Sequence, residues 1–195
     1  MVWLEVETKV KLDEREVAGL RERIKKIAIF EKSGTKKDDY FAIRRKGYPK
    51  KAFRIRAMKD EFEINFKKWL KKYWNKDIVV KQEFEFELKN KEHVEDLLAL
   101  FKDLGFVEWV KKIKKNETYK YKKDKRASIE INNVKHLGSF MEIEYLSQPH
   151  EMKKAKAIIR EILKELKINS KKIDNTGYTR MLWDKGIKDR RYFIR

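Results

Sequence analysis

The chain contains no cysteine, two prolines, seven glycines and three histidines. Without cysteine there is no disulfide, no thiolate metal site and no cysteine nucleophile. The histidines His93, His136 and His150 are scattered, which argues against a histidine-built zinc site. No stretch approaches ~18 consecutive apolar residues, so no transmembrane helix and no membrane partner are expected. Met1-Val2-Trp3-Leu4-Glu5 lacks the layout of a signal peptide, and a cytoplasmic protein is the expectation. There is no Gly-x-x-x-x-Gly-Lys phosphate loop and no Gly-x-Ser-x-Gly elbow.

What the sequence has in quantity is charge. Of 195 residues, 51 are Lys or Arg and 32 are Asp or Glu, for a net charge of +19. A charged fraction of 43% would suit a disordered chain, but 41% hydrophobic and 12% aromatic residues are enough for a core. One domain over 1–195 is the expected organisation. The excess of cations predicts attraction to polyanions, and the Lys/Glu-rich composition is also that of a thermophile surface. The placement of the charges has to decide between them.

That placement is regular. Glu5, Glu7, Lys9 and Lys11 alternate with Val6, Thr8 and Val10, the pattern of a strand with one charged face. Asp13 and Glu16 form a capping box for a helix over about 14–30, with Val17, Leu20, Ile24 and Ile27 as its stripe. Lys32 to Thr35 reads as a loop before a short strand at 39–43. Arg54/Arg56 and Phe62/Ile64/Phe66 mark two further strands, the second read over 61–67. In a long strand at 79–88, Glu83, Glu85 and Glu87 oppose Phe84, Phe86 and Leu88. Asn90 caps a helix over about 91–104 that ends at Gly105. Three strands follow at about 107–114, 117–123 and 127–133, then Phe140 to Tyr145 with Glu142 and Glu144 on one face. Pro149 opens another helix, and Tyr178 to Leu182 a short last one. Acidic strand, cap and helix occur twice, at 3–30 and 79–104, a weak internal repeat. The tail from Asp189 to Arg195 is basic.

One such strand is an ordinary strand with a solvated face. Several together imply more. If the sheet closes into a barrel and the helices pack on its outside, the apolar faces meet the helices and the charged faces line the interior. Unpaired charges there would be very costly, whereas acidic strands facing basic strands around a wet tunnel are tolerable. Clustered carboxylates suit Mg²⁺ or Mn²⁺, and clustered Lys and Arg suit phosphate oxygens. The expected class is α+β: a closed antiparallel β tunnel of about eight strands with helices outside.

Glu5-Val6-Glu7-Thr8-Lys9 is an E-x-E-x-K motif and resembles the signature of the CYTH superfamily. This group holds class IV adenylyl cyclases and thiamine triphosphatases and is also called the triphosphate tunnel metalloenzymes. The resemblance continues through Asp39-x-Phe41 with Tyr40, Arg54-x-Arg56, the strand ending at Lys67, and Glu83-x-Glu85. It runs on through Leu104-Gly105-Phe106, Lys112-x-Lys114 and Leu137 to Glu144, and ends at Tyr178 to Leu182, covering roughly 2–183. It implies that Glu5, Glu7, Glu142 and Glu144, supported by Glu83 and Glu85, are metal-side ligands. Lys9, Arg54, Arg56, Lys67, Lys112 and Lys114 would hold a triphosphate, with Lys9, Lys67 and Glu7 acting in catalysis. Three positions depart from the family pattern. Lys114 stands where Arg is common, Asn132 where Asp is frequent, and Lys68-Trp69 follow Lys67 where small residues are usual.

The resemblance therefore implies a Mg²⁺- or Mn²⁺-dependent enzyme acting on tripolyphosphate, ATP or thiamine triphosphate. With water as nucleophile it is a triphosphatase, the preferred reading; with the ribose 3′-hydroxyl of ATP it is an adenylyl cyclase. A different class is a non-catalytic RNA- or polyphosphate-binding module, with 44–51 and 67–76 as its contact surface, or weak nucleic-acid binding through net charge alone. The oligomeric state, a homodimer included, is not readable from the residues.

Overall fold

The computed structural model describes residues 3–57 and 62–187. The basic tail from Asp189, the first two residues and Glu61 lie outside the described residues. Eight strands and four α-helices follow one another: β1 (Leu4–Lys11), α1 (Glu14–Ile27), β2 (Ala28–Ile43), β3 (Phe53–Ala57), β4 (Phe62–Trp69), β5 (Val79–Leu88), α2 (Lys91–Asp103), β6 (Phe106–Tyr121), β7 (Ala127–Val134), β8 (Gly138–Ser147), α3 (Met152–Glu165) and α4 (Tyr178–Asp184). The strands close into an antiparallel barrel in the order β1-β5-β4-β3-β2-β6-β7-β8. The weak internal repeat becomes geometric here. β2-β3-β4 and β6-β7-β8 are two meanders, and each is completed by the first strand of the other half.

The two longest strands correct the sequence reading. The helix expected to reach about residue 30 stops at Ile27, and the loop at 32–35 is the middle of β2. The two strands expected at 107–114 and 117–123 are one, β6, with Asn116 inside it. β2 and β6 pair along their whole length, from Ala28 opposite Tyr121 to Ile43 opposite Phe106. Ladder bonds along that ribbon satisfy the backbone of Ser33 and Gly34 and override their turn preference. A register shift between Phe30 and Lys32 accommodates the local mismatch.

Period-two alternation puts the apolar face outward. Val6 lies opposite Val80 and Tyr145, and Ile129 opposite Ile143, all buried. Leu20 and Ile24 of α1 and Ala155, Ile159 and Ile162 of α3 cover this face. The capping box of Asp13 and Glu16 starts α1 as the sequence implies, and Asn90 caps α2 by accepting from the His93 amide at 2.8 Å. Gly105, at φ +84°, takes the left-handed turn out of α2. α2 covers a second cluster in which Phe53 lies 4.4 Å from Phe101 and 5.2 Å from Phe41, centroid to centroid. Among the described residues no helix is long and apolar enough to cross a membrane.

Because the apolar faces are spent on the helices, the charged faces have only the barrel interior. Ile143, fully buried outside the barrel between Glu142 and Glu144, fixes which way those carboxylates point. Ile143→Ala should lower unfolding stability by about 2–5 kcal/mol, measured by urea denaturation.

Candidate active site: a charged tunnel

The interior is a cavity of about 1170 Å³. Strand register alone decides much of its chemistry. Across neighbouring strands Glu7 faces Glu144, Lys9 faces Glu142, Glu5 faces Lys81, Lys67 faces Glu83, and Asp38 faces both Arg56 and Lys112.

On one side the carboxylates crowd. Oxygens of Glu5, Glu7 and Glu144 lie within 4.8 Å of one another, and so do oxygens of Glu130, Glu142 and Glu144. Glu144 is common to both groups. Lys67 donates to Glu5 at 2.6 Å and also pairs with Glu83. Lys81 pairs with Glu7 and lies 3.7 Å from Glu5. Lys114 donates to Glu130 at 2.8 Å and to Glu142 at 3.2 Å, and Lys36 donates to Glu130 at 2.9 Å. Asn132 donates to Glu142 at 2.7 Å, so the amide in place of an acid holds a neighbouring carboxylate.

On the opposite side the cations gather around one buried acid. Asp38 accepts from Arg56 at 2.7 and 3.2 Å and pairs with Lys112 at 2.8 Å and Arg54 at 3.9 Å. Arg54 donates to Glu63 at 2.9 Å. Lys112 also donates to the Tyr40 hydroxyl at 3.1 Å. Lys9 donates to the Thr176 carbonyl, and its ammonium sits 4.2 Å from the centre of the Tyr178 ring. That ring packs edge-on against Phe140 at 5.1 Å, with Val134 beside it, so the start of α4 closes part of this end of the barrel.

The balance of forces differs from acid to acid. Burial works against the charge of Glu5, but Lys67 and Lys81 outweigh it and hold its carboxyl well below the usual range. Burial also opposes Glu142, and Lys114 and Lys9 bring it down. At Asp38, Lys112 and the two arginines overcome burial decisively. Burial wins at Glu7, which is pushed up to about 7 despite Lys81, and at Glu144, which is driven well above the carboxylate range by burial and then by Glu5 and Glu130. Glu7 and Glu144 thus have too little positive charge around them, and Glu144 stands where the two triads meet. The donors are all carboxylate oxygens, the hard ligand set that Mg²⁺ and Mn²⁺ prefer. The residues present therefore fit a divalent cation.

The structure brings Glu5, Glu7, Lys9, Arg54, Arg56, Lys67, Lys112, Lys114, Glu142 and Glu144 together in one interior. Glu83 reaches it through Lys67, while Glu85 is exposed towards a mouth and accepts from Asn65 at 3.0 Å. Asp38, Glu63, Lys81 and Glu130 also belong to the site and were missed. Alternation held the signal for three of them: Glu130 shares parity with Asn132, Lys81 with Glu83, and Asp38 with Tyr40. The reading through Asp39-x-Phe41 sits one residue off the tunnel face; Tyr40 lines the cavity, whereas Phe41 is in the core under α2.

Comparison with known proteins agrees with this geometry. The CYTH domain model matches residues 4–178. The chain belongs to the CYTH domain family. No curated protein matches the sequence. Among solved structures, the PH1819 protein from Pyrococcus horikoshii is 26% identical with a TM-score of 0.74, over 93% of this chain and 99% of that one. A putative adenylate cyclase from Vibrio parahaemolyticus shares the fold at 11% identity and TM-score 0.70, over 92% of this chain and 98% of that one. So does a putative adenylyl cyclase from Hippeastrum, described as revealing a dominant triphosphatase activity, at 13% identity and TM-score 0.61, over 100% and 99% of the two chains.

Two predictions follow from the charges in this CYTH tunnel. Asp38 has a depressed pKa, so its contribution to stability is present above its unfolded value of 3.8 and is lost as pH falls through the folded value. Asp38→Asn should cost about 3–5 kcal/mol at pH 7, because Arg54, Arg56 and Lys112 lose the buried carboxylate they share. The gap to wild type in urea unfolding should narrow below about pH 4. Among the described residues the buried Tyr178 hydroxyl makes no hydrogen bond of good geometry, and burial with the nearby Glu142 carboxylate pushes it well above its ordinary range; a buried polar group so poorly satisfied is costly. Tyr178→Phe should leave the free protein at least as stable as wild type in the same assay.

Proposed function

We propose that this CYTH protein hydrolyses a triphosphate inside the tunnel with Mg²⁺ or Mn²⁺ as cofactor. The observation that carries the reading is the pair of carboxylate triads joined at Glu144, set across the cavity from the Arg54, Arg56 and Lys112 cluster. Carboxylates for a divalent cation beside cations for phosphate oxygens is the arrangement phosphoryl transfer uses. Glu5, Glu7 and Glu144, with Glu130 and Glu142 next to them, are the residues that would hold the metal; Glu83 and Glu85 are its outlying support. When bound, the metal supplies Lewis-acid polarisation of the phosphates.

The remaining work falls to the chain itself. Lys112, Arg54 and Arg56 would leave Asp38 in part to hold phosphate oxygens; the guanidinium forks suit two oxygens at once. Lys114 and Lys67 would hold the oxygens nearest the acid side. Lys9, one strand repeat from Glu7, stands between the two groups and would neutralise charge developing on the transferred phosphoryl, while Glu7 would orient the attacking water. The P–O bond to the leaving phosphate breaks as the bond to water forms, giving orthophosphate. Hydrolysis is favoured over cyclisation because it needs no aligned ribose hydroxyl. It is also in keeping with the dominant triphosphatase activity described for the Hippeastrum relative.

The test is turnover of tripolyphosphate, ATP and thiamine triphosphate with Mg²⁺ or Mn²⁺, with products identified by chromatography. Orthophosphate should appear, and Glu7→Gln and Lys9→Ala should each reduce its release by ~100-fold or more. Cyclic AMP with pyrophosphate would replace hydrolysis by cyclisation. Tight triphosphate binding with no turnover would make the protein a binding module.

A further inference from the structure

We propose that the Tyr178 hydroxyl donates a hydrogen bond to a phosphate oxygen of the bound triphosphate, on the stretch of the chain that Lys9 and Lys112 hold. The inference rests on the triphosphate reading of the tunnel and adds to it an uncharged donor supplied from outside the barrel strands. Tyr178 is the first residue of α4 and lines the cavity, with only 7% of its surface exposed. Its hydroxyl oxygen is buried and, among the described residues, makes no hydrogen bond of good geometry. Buried polar groups are as a rule satisfied, so an unsatisfied one inside a binding cavity points to a partner that arrives with the ligand.

The ring is held in place while the hydroxyl is not. Phe140 meets the ring edge-on at 5.1 Å, and Val134, Leu137 and Met181 complete the apolar cluster around it. The backbone leading into Tyr178 is tied to β1. The Asp174 amide donates to the Lys9 carbonyl at 2.8 Å, the Asn175 side chain accepts from the Lys9 amide at 2.8 Å, and the Thr176 carbonyl accepts from the Lys9 ammonium. One residue further on, Thr179 shares a 2.9 Å hydrogen bond with Tyr48. The side chain is therefore placed before any ligand arrives. Two of the cations that the tunnel offers to phosphate lie against the same ring, the Lys9 ammonium 4.2 Å and the Lys112 ammonium 5.5 Å from its centre. The Glu142 carboxylate nearby already accepts from Lys114 and Asn132. A phenol is protonated at neutral pH and has one hydrogen to donate. An O–H donated to an anionic oxygen is among the stronger hydrogen bonds, and it adds no charge to a cavity already rich in it.

The experiment is calorimetric titration of tripolyphosphate into the full chain in EDTA, where metal-dependent turnover is suppressed, with urea unfolding of the same samples. Wild type is compared with Tyr178→Phe, which keeps the ring, its packing and its contact with the two lysines and removes only the hydroxyl. Tyr178→Phe should bind tripolyphosphate about tenfold more weakly, with an unfolding midpoint no lower than that of wild type. Equal affinities in the two proteins would overturn the proposal and leave the triphosphate reading standing. A weaker affinity accompanied by a lower unfolding midpoint would also overturn it, by making the hydroxyl a structural support of the tunnel wall. If wild type itself binds no tripolyphosphate, the inference falls together with the triphosphate reading of the tunnel.

Discussion

The structure depends on one constraint: a closed sheet whose apolar face is turned outward has nowhere to put its charged face but inside. Helices α1, α2 and α3 cover the outer face, so the alternation that makes each strand amphipathic also lines the barrel with acids and bases. Such charges can be kept in a low-dielectric interior only if they are paired and hydrogen-bonded. The register supplies the pairs, setting Lys9 beside Glu142, Glu5 beside Lys81 and Asp38 between Arg56 and Lys112. The fold and the site are therefore one arrangement, since the ladder that closes the barrel also aligns the ion pairs.

The pairing is uneven, and the proposed function rests on that unevenness. Asp38 is over-supplied with cations, and its carboxyl is held far below its ordinary value. Glu7 and Glu144 are under-supplied, and burial lifts both carboxyls above their ordinary range. One side of the tunnel thus has positive charge to offer and the other has room for it. Under the proposed function a polyanion together with a divalent cation would relieve both at once, the bases turning to phosphate and the acids to metal. A salt-bridged interior of this kind adds little stability compared with an apolar core. Its value is that it can exchange partners.

Much of this was legible in the residues. Glu5, Glu7 and Lys9 on one face, with Val6 and Val10 on the other, already imply an inside and an outside. Arg54/Arg56 and Glu142/Glu144 give the opposing signs. The long strands were not legible, because Ser33, Gly34 and Asn116 have turn preferences that only pairing between β2 and β6 overrides. Asp38 was hidden beside Asp39, where a one-residue choice of parity decides which carboxylate enters the tunnel. Glu130 was passed over because its strand carries a single acid followed by Asn132. Lys81 sits at the head of a strand dominated by glutamates. Charge pairs across strands are long-range facts, and no local window holds both partners.

The central claim is that tunnel acids and bases are each other's partners only until a metal and a phosphate chain arrive together. The most direct measurement is calorimetric titration of tripolyphosphate into the protein with and without Mg²⁺, corrected for complexation in solution. The account predicts that affinity rises about tenfold or more with the metal, since each ligand frees the groups that bind the other. Equal affinity in its presence and absence would contradict it.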